Sequence, residues 1–345
     1  MKTKILILTL FTYILASCTQ SGTSLPAVSG TQFELLVVMN DTLWKDSAGR
    51  ELHDLLTQPM LGLPQYEPVL AIHQCSRTEF TDVLKPSRNV LLVDVAAKYS
   101  APKITYSKDH YAYPQAFVKI TAPSDTSLQT TIKKYGSYIV AYFVKSERER
   151  QIAFNKSYIN DNAKTEIEKQ FGIQIDIPQG ISKATQKKDF YWITNDQAGT
   201  RQDILIYAYP YTNKSQFTKA ALIVKRDSIL KANIPGELKD SYMGTELKYA
   251  DPIFQEIWVN KNYCAELRGL WRMMHGAAMG GPFYSHSRLD EINQRVITME
   301  AFVFAPGKNK RNAMRQLEAV IFTAKLPQEI NAIKEVSVVA PKKKK

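Results

Sequence analysis

The residues best suited to chemistry crowd into one stretch, Glu266 to Glu291, which reads ELRGLWRMMHGAAMGGPFYSHSRLDE. A strand carrying Glu266, Arg268 and Arg272 turns these charges to one face, because side chains two and four positions apart along a strand share a face. Gly276, Gly280 and Gly281 suit a loop that needs positive φ or a close approach of backbone to a ligand. His275 and His286 lie in or beside this loop, and Asp290 follows His286 by one helical turn. If residues 286 to 290 are helical, the carboxylate orients the imidazole as a general base or a metal ligand requires. Arginines bind an anionic group and a histidine transfers a proton. The candidate ligand-binding set is therefore Arg268, Arg272, His275, His286 and Asp290. The alternative is a long hairpin loop whose Met, Trp and Phe pack on a sheet over a satisfied Glu–Arg network. Cys264, His275 and His286 fall at equal intervals, but the interval matches no metal-ligand spacing, so neither a metal nor another cofactor is implied.

Other chemistries lack their signatures. The chain contains no H-E-x-x-H, G-x-S-x-G, G-x-x-x-x-G-K-[ST], G-x-G-x-x-G or paired C-x-x-C, which removes the support for the common zincin, α/β-hydrolase, P-loop and Rossmann readings. Tyr207, Tyr209 and Tyr211 alternate and, with Trp192, offer an aromatic platform for a glycan or peptide; core packing explains the same alternation. Cys75 and Cys264 either pair in an oxidising compartment or stay as separate buried thiols.

The elements that would position these residues follow from periodicity. Phe33 to Met39, Glu67 to His73, Asn89 to Val95 and Gln115 to Thr121 read as strands, the apolar runs among them as buried ones. Asn40 and Asp41 can cap a helix that ends before Pro59, and Ser76 with Glu79 has capping-box spacing for a short helix up to Pro86. Three segments share one grammar, an apolar strand stopped by proline, a polar turn and a helical pattern: Phe117 to Pro123, Ile204 to Pro210 and Ala301 to Pro306. Their helices are expected over 125–143, 214–232 and 309–325, with Met314, Leu317, Ile321 and Phe322 on one face of the last. The repeat points either to two related halves or to the general frequency of strand–turn–helix units. Ser146 to Glu149 is a further capping box, opening a helix expected to run to Phe171 with Gly172 as its left-handed stop. Strands at 190–194, 201–209, 254–259, 264–271 and 295–304 complete the second half. The fold class is α+β, mostly antiparallel sheet with helices packed on a face.

The start of the chain sets an address. Lys2 and Lys4 precede an apolar stretch from Ile5 to Leu15, followed by Ala16 and Ser17. The apolar core of about eleven residues, at ~1.5 Å rise each, falls short of a ~30 Å bilayer and reads as a cleaved secretory signal. Leu15-Ala16-Ser17-Cys18 resembles the lipobox of bacterial lipoproteins, in which the cysteine becomes the lipidated first residue. No later segment is long and apolar enough to span a bilayer, and mean hydropathy is −0.27. The formal charge of +12 shrinks once Lys2 and Lys4 leave with the signal and the run Lys342 to Lys345 is set aside. The folded part is only mildly basic, and with secretion a nucleic-acid partner is excluded.

Taken together, LLVVMNDTLW, SERERQI, RQDILIYAYPYT, IPGELKDSYMGTE, RGLWRMMHGAAMGGPF and VITMEAFVFAPGKNKRNAMRQLEA resemble an uncharacterised domain-of-unknown-function family of Bacteroidota lipoproteins. The resemblance implies an envelope location and transfers no site residue. The organisation expected is a signal peptide over 1–17, a lipidated Cys18 with a flexible tether over 18–31, a first α+β half over 32–146, a connecting helix over 147–172, a second half over 173–327 and a basic tail over 328–345. The chain is expected to be held to a membrane by lipid, palmitate included, on Cys18. The absence of Asp at position 19 and of an acidic run after Cys18 points to the outer membrane facing the periplasm. Its function is expected to be binding of an envelope ligand or protein partner; the alternative is a hydrolase of cell-wall or glycan material acting through residues 266–290.

Overall fold

The computed structural model describes residues 25–339, so the signal, Cys18 and the terminal lysines lie outside the described residues. The chain forms two compact units. Among the described residues, one comprises 25–49 together with Ile72–Thr131, and the other comprises Arg50–Ala71 and 132–339. The α+β class holds in both.

The first unit is built on a five-stranded sheet of β1 (Glu34–Val38), β2 (Ala71–Cys75), β3 (Asn89–Val95), β4 (Lys103–Lys108) and β5 (Ala116–Ala122), in the order β2-β1-β3-β5-β4. β1 and β5 both pair with β3 in parallel, and β4 pairs with β5 antiparallel at the edge. Covered on both faces, such strands need uninterrupted apolar runs. Residues 89–93 are all buried, and Leu36, Val38, Val90, Leu92 and Phe117 form one core cluster. Asn40 caps helix α1 (Asp41–Lys45) by accepting from the Thr42 and Leu43 amides. Helix α2 (Ser47–Leu56) follows.

Two local expectations are corrected here, and one strand forms that none of them named. The Ser76–Glu79 contacts form as a capping box requires, yet they close a run of turns with no helix behind them. Chain pairing begins before Gln32: the Val28 and Ser29 amides donate to Tyr113 O and Pro86 O, so the tether stops short of these residues. The antiparallel β4, charged and mostly exposed, has no apolar pattern to announce it.

The second unit holds an eight-stranded sheet from β6 (Lys183–Lys187), β7 (Phe190–Thr194), β8 (Arg201–Pro210), β9 (Tyr242–Thr245), β10 (Ile253–Val259), β11 (Asn262–Met274), β12 (Gly280–Asp290) and β13 (Arg295–Phe304). The order is β10-β11-β12-β13-β8-β7-β6, with β9 on β11, and every pairing is antiparallel. One face buries Leu205, Tyr207, Leu267, Trp271, Phe283 and Phe302 in a cluster with Leu222 and Leu230 of helix α5 (Lys219–Asn233). Helix α6 (Arg311–Ile321) packs on β8, β12 and β13. The two sheets differ in pairing and order, so the strand–proline–helix grammar they share is a local device.

The helix expected to start at Ser146 is corrected. Helix α3 runs unbroken over Asp125–Asn155, and the Ser146 hydroxyl donates to Tyr142 O inside it. Helix α4 (Asp161–Phe171) then ends at Gly172 in the left-handed conformation, as expected. The basic tail is also corrected: Pro327 opens helix α7 (Pro327–Val339), a position that suits its fixed φ and missing N–H, and Glu329 accepts from the Leu326 amide.

Candidate functional site

The strand expected over 264–271 forms within β11, whereas the part after it expected to be a loop is largely a second strand, β12, and both lie within the large sheet. β11 and β12 are joined by the short turn 275–279 and register Glu266 against His286 and Arg272 against Gly280. Gly281 is required by close packing, since a Cβ there would come within 2.0 Å of Val303 O. Ser285 to Arg288 are buried on both faces, and their polarity hides the strand from any apolar pattern.

This placement separates the nominated residues. His286 is fully buried, its Nε2 against the Tyr284 hydroxyl and 3.7 Å from Glu266 Oε2. Arg268 donates from Nε to Glu266 (2.7 Å) and from Nη1 to Glu318 of α6 (2.5 Å). Arg315 adds a second bond to Glu318 at 2.8 Å. Burial pushes the Glu266 carboxyl up, but His286 and Arg268 outweigh it and hold the group below its ordinary value. Burial holds His286 below its usual value despite Glu266. Residues 286 to 290 are strand, not helix, so Asp290 lies about 13 Å along from His286 and binds Arg295 and Asn293 instead. Arg272 is half-exposed and pairs with Glu246 at 3.2 Å, while His275 sits exposed in the hairpin turn with φ 53°. Arg268 and His286 thus share one dry network of ion pairs and hydrogen bonds, and Arg272, His275 and Asp290 stand apart from it.

The arrangement able to take a ligand lies elsewhere in the same unit. A cavity of about 630 Å³ is walled by Tyr211, Phe217, Phe254, Tyr263, Leu289 and Leu326. Tyr211 leaves the end of β8, and Phe217 closes the 3₁₀ turn Lys214–Phe217, where Asn213 and Gln216 form a reciprocal cap. Phe254, Tyr263 and Leu289 project from β10, β11 and β12. Phe217 meets Tyr263 edge-on at 5.6 Å and Tyr211 at 6.2 Å. The Tyr263 hydroxyl donates to Glu256, and burial together with that carboxylate pushes it up to about 12. Lys214, Lys219 and Glu291 supply charge to the lining, Lys219 bound to Asp251 at 2.6 Å.

Two polar residues complete the wall. Arg288 is held by Glu329 and by Ala324 O (3.3 Å), and Gln328 donates to Leu289 O at 2.8 Å. Arg288 Nε and Gln328 Oε1 are nevertheless buried with no protein partner. Buried polar atoms are nearly always satisfied, so a donor and an acceptor left over on two lining residues distinguish this part of the wall.

Residues 160–323 match the family described as Domain of unknown function (DUF4837), and residues 28–156 match Domain of unknown function (DUF8532). Both halves match families of unknown function. The division falls between α3 and α4, and the DUF4837 segment supplies all the aromatic residues of the cavity. No curated protein matches the chain. Among solved structures, the chain is similar to a Mog1 mutant protein, with TM-score 0.28, 12% identity and coverage of 46% of this chain and 88% of that one. It is also similar to the Saccharomyces cerevisiae Ran-binding protein Mog1p, with TM-score 0.27, 13% identity and coverage of 48% and 85%.

Of the aromatic platform read from the sequence, Tyr207 and Tyr209 are core, Trp192 donates to Asp203, and Tyr211 alone reaches the large cavity. The other cavity residues come from separate segments, and no local spacing links them. Among the described residues, no group of three or more His, Cys, Asp or Glu is placed to hold a metal ion, and no helix is long and apolar enough to cross a membrane. Cys75 and Cys264 are buried free thiols.

Proposed function

We propose that this is an envelope protein, anchored to the outer membrane through lipid on Cys18, that binds a small amphipathic ligand or a partner's side chains in the Tyr211–Tyr263 cavity. The observation that carries the reading is a cavity of about 630 Å³ with a largely aromatic and aliphatic wall, whose lining residues Arg288 and Gln328 each keep a buried polar atom, Nε and Oε1, without a protein partner, beside the charged Lys214, Lys219, Glu256 and Glu291. The volume falls within the range of small-molecule sites, roughly 300–1,000 Å³, which combine apolar walls with a few placed polar groups. The ligand that fits has a flat apolar body and a head group that both accepts and donates, as an amide or a hydroxyl does. The hydrolase reading needs an accessible histidine with its carboxylate. His286 is enclosed, and Asp290 points its bonds to Arg295.

Two measurements test this. 1-Anilinonaphthalene-8-sulfonate, which carries fused rings, an N–H donor and a sulfonate acceptor, should bind the full chain saturably. Leu289→Trp, which fills the cavity, should weaken that binding about tenfold or more, a change of at least about 1.4 kcal/mol. Unchanged binding by Leu289→Trp would overturn the site. The anchor is tested separately: Cys18→Ala should lose palmitate labelling and leave the membrane fraction while folding normally, and retention on membranes would refute it.

A further inference from the structure

A second, smaller cavity of about 250 Å³ lies on the β9–β11–β12 side of the large sheet and is lined by Met243, Met273 and Met279 together with Trp271 and two charged residues, Glu237 and Arg201, the latter paired with Asp203 at 3.1 Å. The three methionines are neighbours by register. Met273 pairs directly with Met243 across β9 and β11, and the Met273 amide donates to Met279 O at 2.9 Å across the base of the hairpin. Directly opposed residues point to the same face with Cβ atoms about 4.5–5.5 Å apart. Three flexible thioether arms therefore rise from adjacent positions into one space. Two glycines keep that space open around the central arm. A Cβ at Gly236 would fall 2.8 Å from Met273 Sδ, and one at Gly276 would fall 2.7 Å from Met273 Cγ. Trp271, two residues along from Met273 and so on its face, is fixed by donating its indole N–H to Val303 O at 3.2 Å.

We propose that Met243, Met273 and Met279 form a binding site for a soft monovalent cation of the Cu(I) class. Thioether sulfur selects soft ions such as Cu(I) over hard divalent ones. Three neutral donors bring no charge of their own, which favours a single positive charge over two, and Glu237 is the carboxylate of the lining. The cavity is below the roughly 300–1,000 Å³ that organic ligands occupy. Met243 is buried, whereas Met273 and Met279 are half-buried, so an ion has a way in. This site is separate from the aromatic cavity, and neither reading depends on the other.

The test is carbon-13 NMR of the full chain labelled at its methionine methyl groups, titrated with Ag(I) as a redox-inert probe and then with Cu(I) under ascorbate. The Met243, Met273 and Met279 methyl signals should move together and saturate at about one equivalent of ion, as a single soft-donor site requires, while those of Met60, Met299 and Met314 stay in place. Met273→Leu keeps the side-chain volume and should weaken Ag(I) binding by about tenfold or more. Ion uptake that leaves these three methyl signals unmoved, for example at Cys75, would overturn the proposal. So would wild-type affinity in Met273→Leu.

Discussion

Arg226→Met should destabilise the second unit by about 3–5 kcal/mol, the cost of leaving a buried charge without its partner. Arg226 of α5 is 1% exposed and Glu300 of β13 is fully buried. The guanidinium reaches both carboxylate oxygens from Nε (3.1 and 2.9 Å) and one of them from Nη2 (2.7 Å), while Nη1 donates to Thr245 at 2.7 Å. Removing it leaves the Glu300 carboxylate, itself fully buried, without its partner. Against a total stability of about 5–15 kcal/mol, the loss should be plain in urea unfolding followed by tryptophan fluorescence, since Trp192, Trp258 and Trp271 all belong to this unit. Arg226→Met with Glu300→Leu should recover most of it, because the pair is then replaced by apolar groups of similar volume. The pH dependence gives a second reading. Burial already holds the Glu300 carboxyl above its ordinary value against the pull of Arg226. A raised carboxyl contributes stability that is present below its unfolded pKa and lost as pH rises through the folded one. The single variant should accordingly lose less at pH 5 than at pH 8. Equal losses in the single and double variants, or a loss independent of pH, would refute the reasoning.

His286 titrates below its ordinary value because it is buried; the unfolded chain takes up a proton as pH falls through about 6.5 while the native ring stays neutral, so stability declines with falling pH from there. His286→Gln should flatten the urea midpoint between pH 7.5 and 5.5, and an unchanged slope would show that the native ring takes up its proton over the same range as the unfolded chain, refuting the lowered value. Gly172→Ala should cost about 1–2 kcal/mol through its left-handed backbone alone, because the added Cβ meets Pro327 Cγ only at 3.6 Å, an ordinary contact; thermal unfolding measures it, and no loss would mean that α4 does not end in this conformation.

How far the fold was legible depends on burial. β3 coincides with the predicted Asn89 to Val95, since a strand buried on both faces is mostly apolar, and β13 is legible from its apolar residues in spite of the buried Thr298 and Glu300. β12 is as deeply buried yet ends SHSRLD, because polar contacts with other segments hold its side chains: His286 lies by Glu266, Arg288 binds Glu329 and Asp290 binds Arg295. The Ser146 capping box misled because the side chains that cap a helix can also lie within one, where the Ser146 hydroxyl bonds back to the preceding turn. The candidate set was half visible. Glu266, Arg268 and Arg272 do alternate on a strand as expected, but their partners Glu318 and Glu246 lie in distant segments. The aromatic cavity left one trace, Tyr211, because tertiary contacts assemble it from β8, β10, β11 and β12.

The pairing of β8 with β13 reaches from Arg201–Phe304 to Pro210–Arg295, so two central strands of the large sheet are separated by roughly eighty to a hundred residues of sequence. At synthesis rates of about 5–20 residues per second, β8 waits several seconds before its partner exists. During that interval Ile204 to Tyr209, all buried in the finished protein, form an apolar edge with open backbone bonds, the kind of surface that recruits other chains. Under the proposed envelope location the chain must also cross a membrane before this edge can close. Its yield should therefore depend on holdase chaperones that shield β8 until β13 arrives, however stable the final sheet.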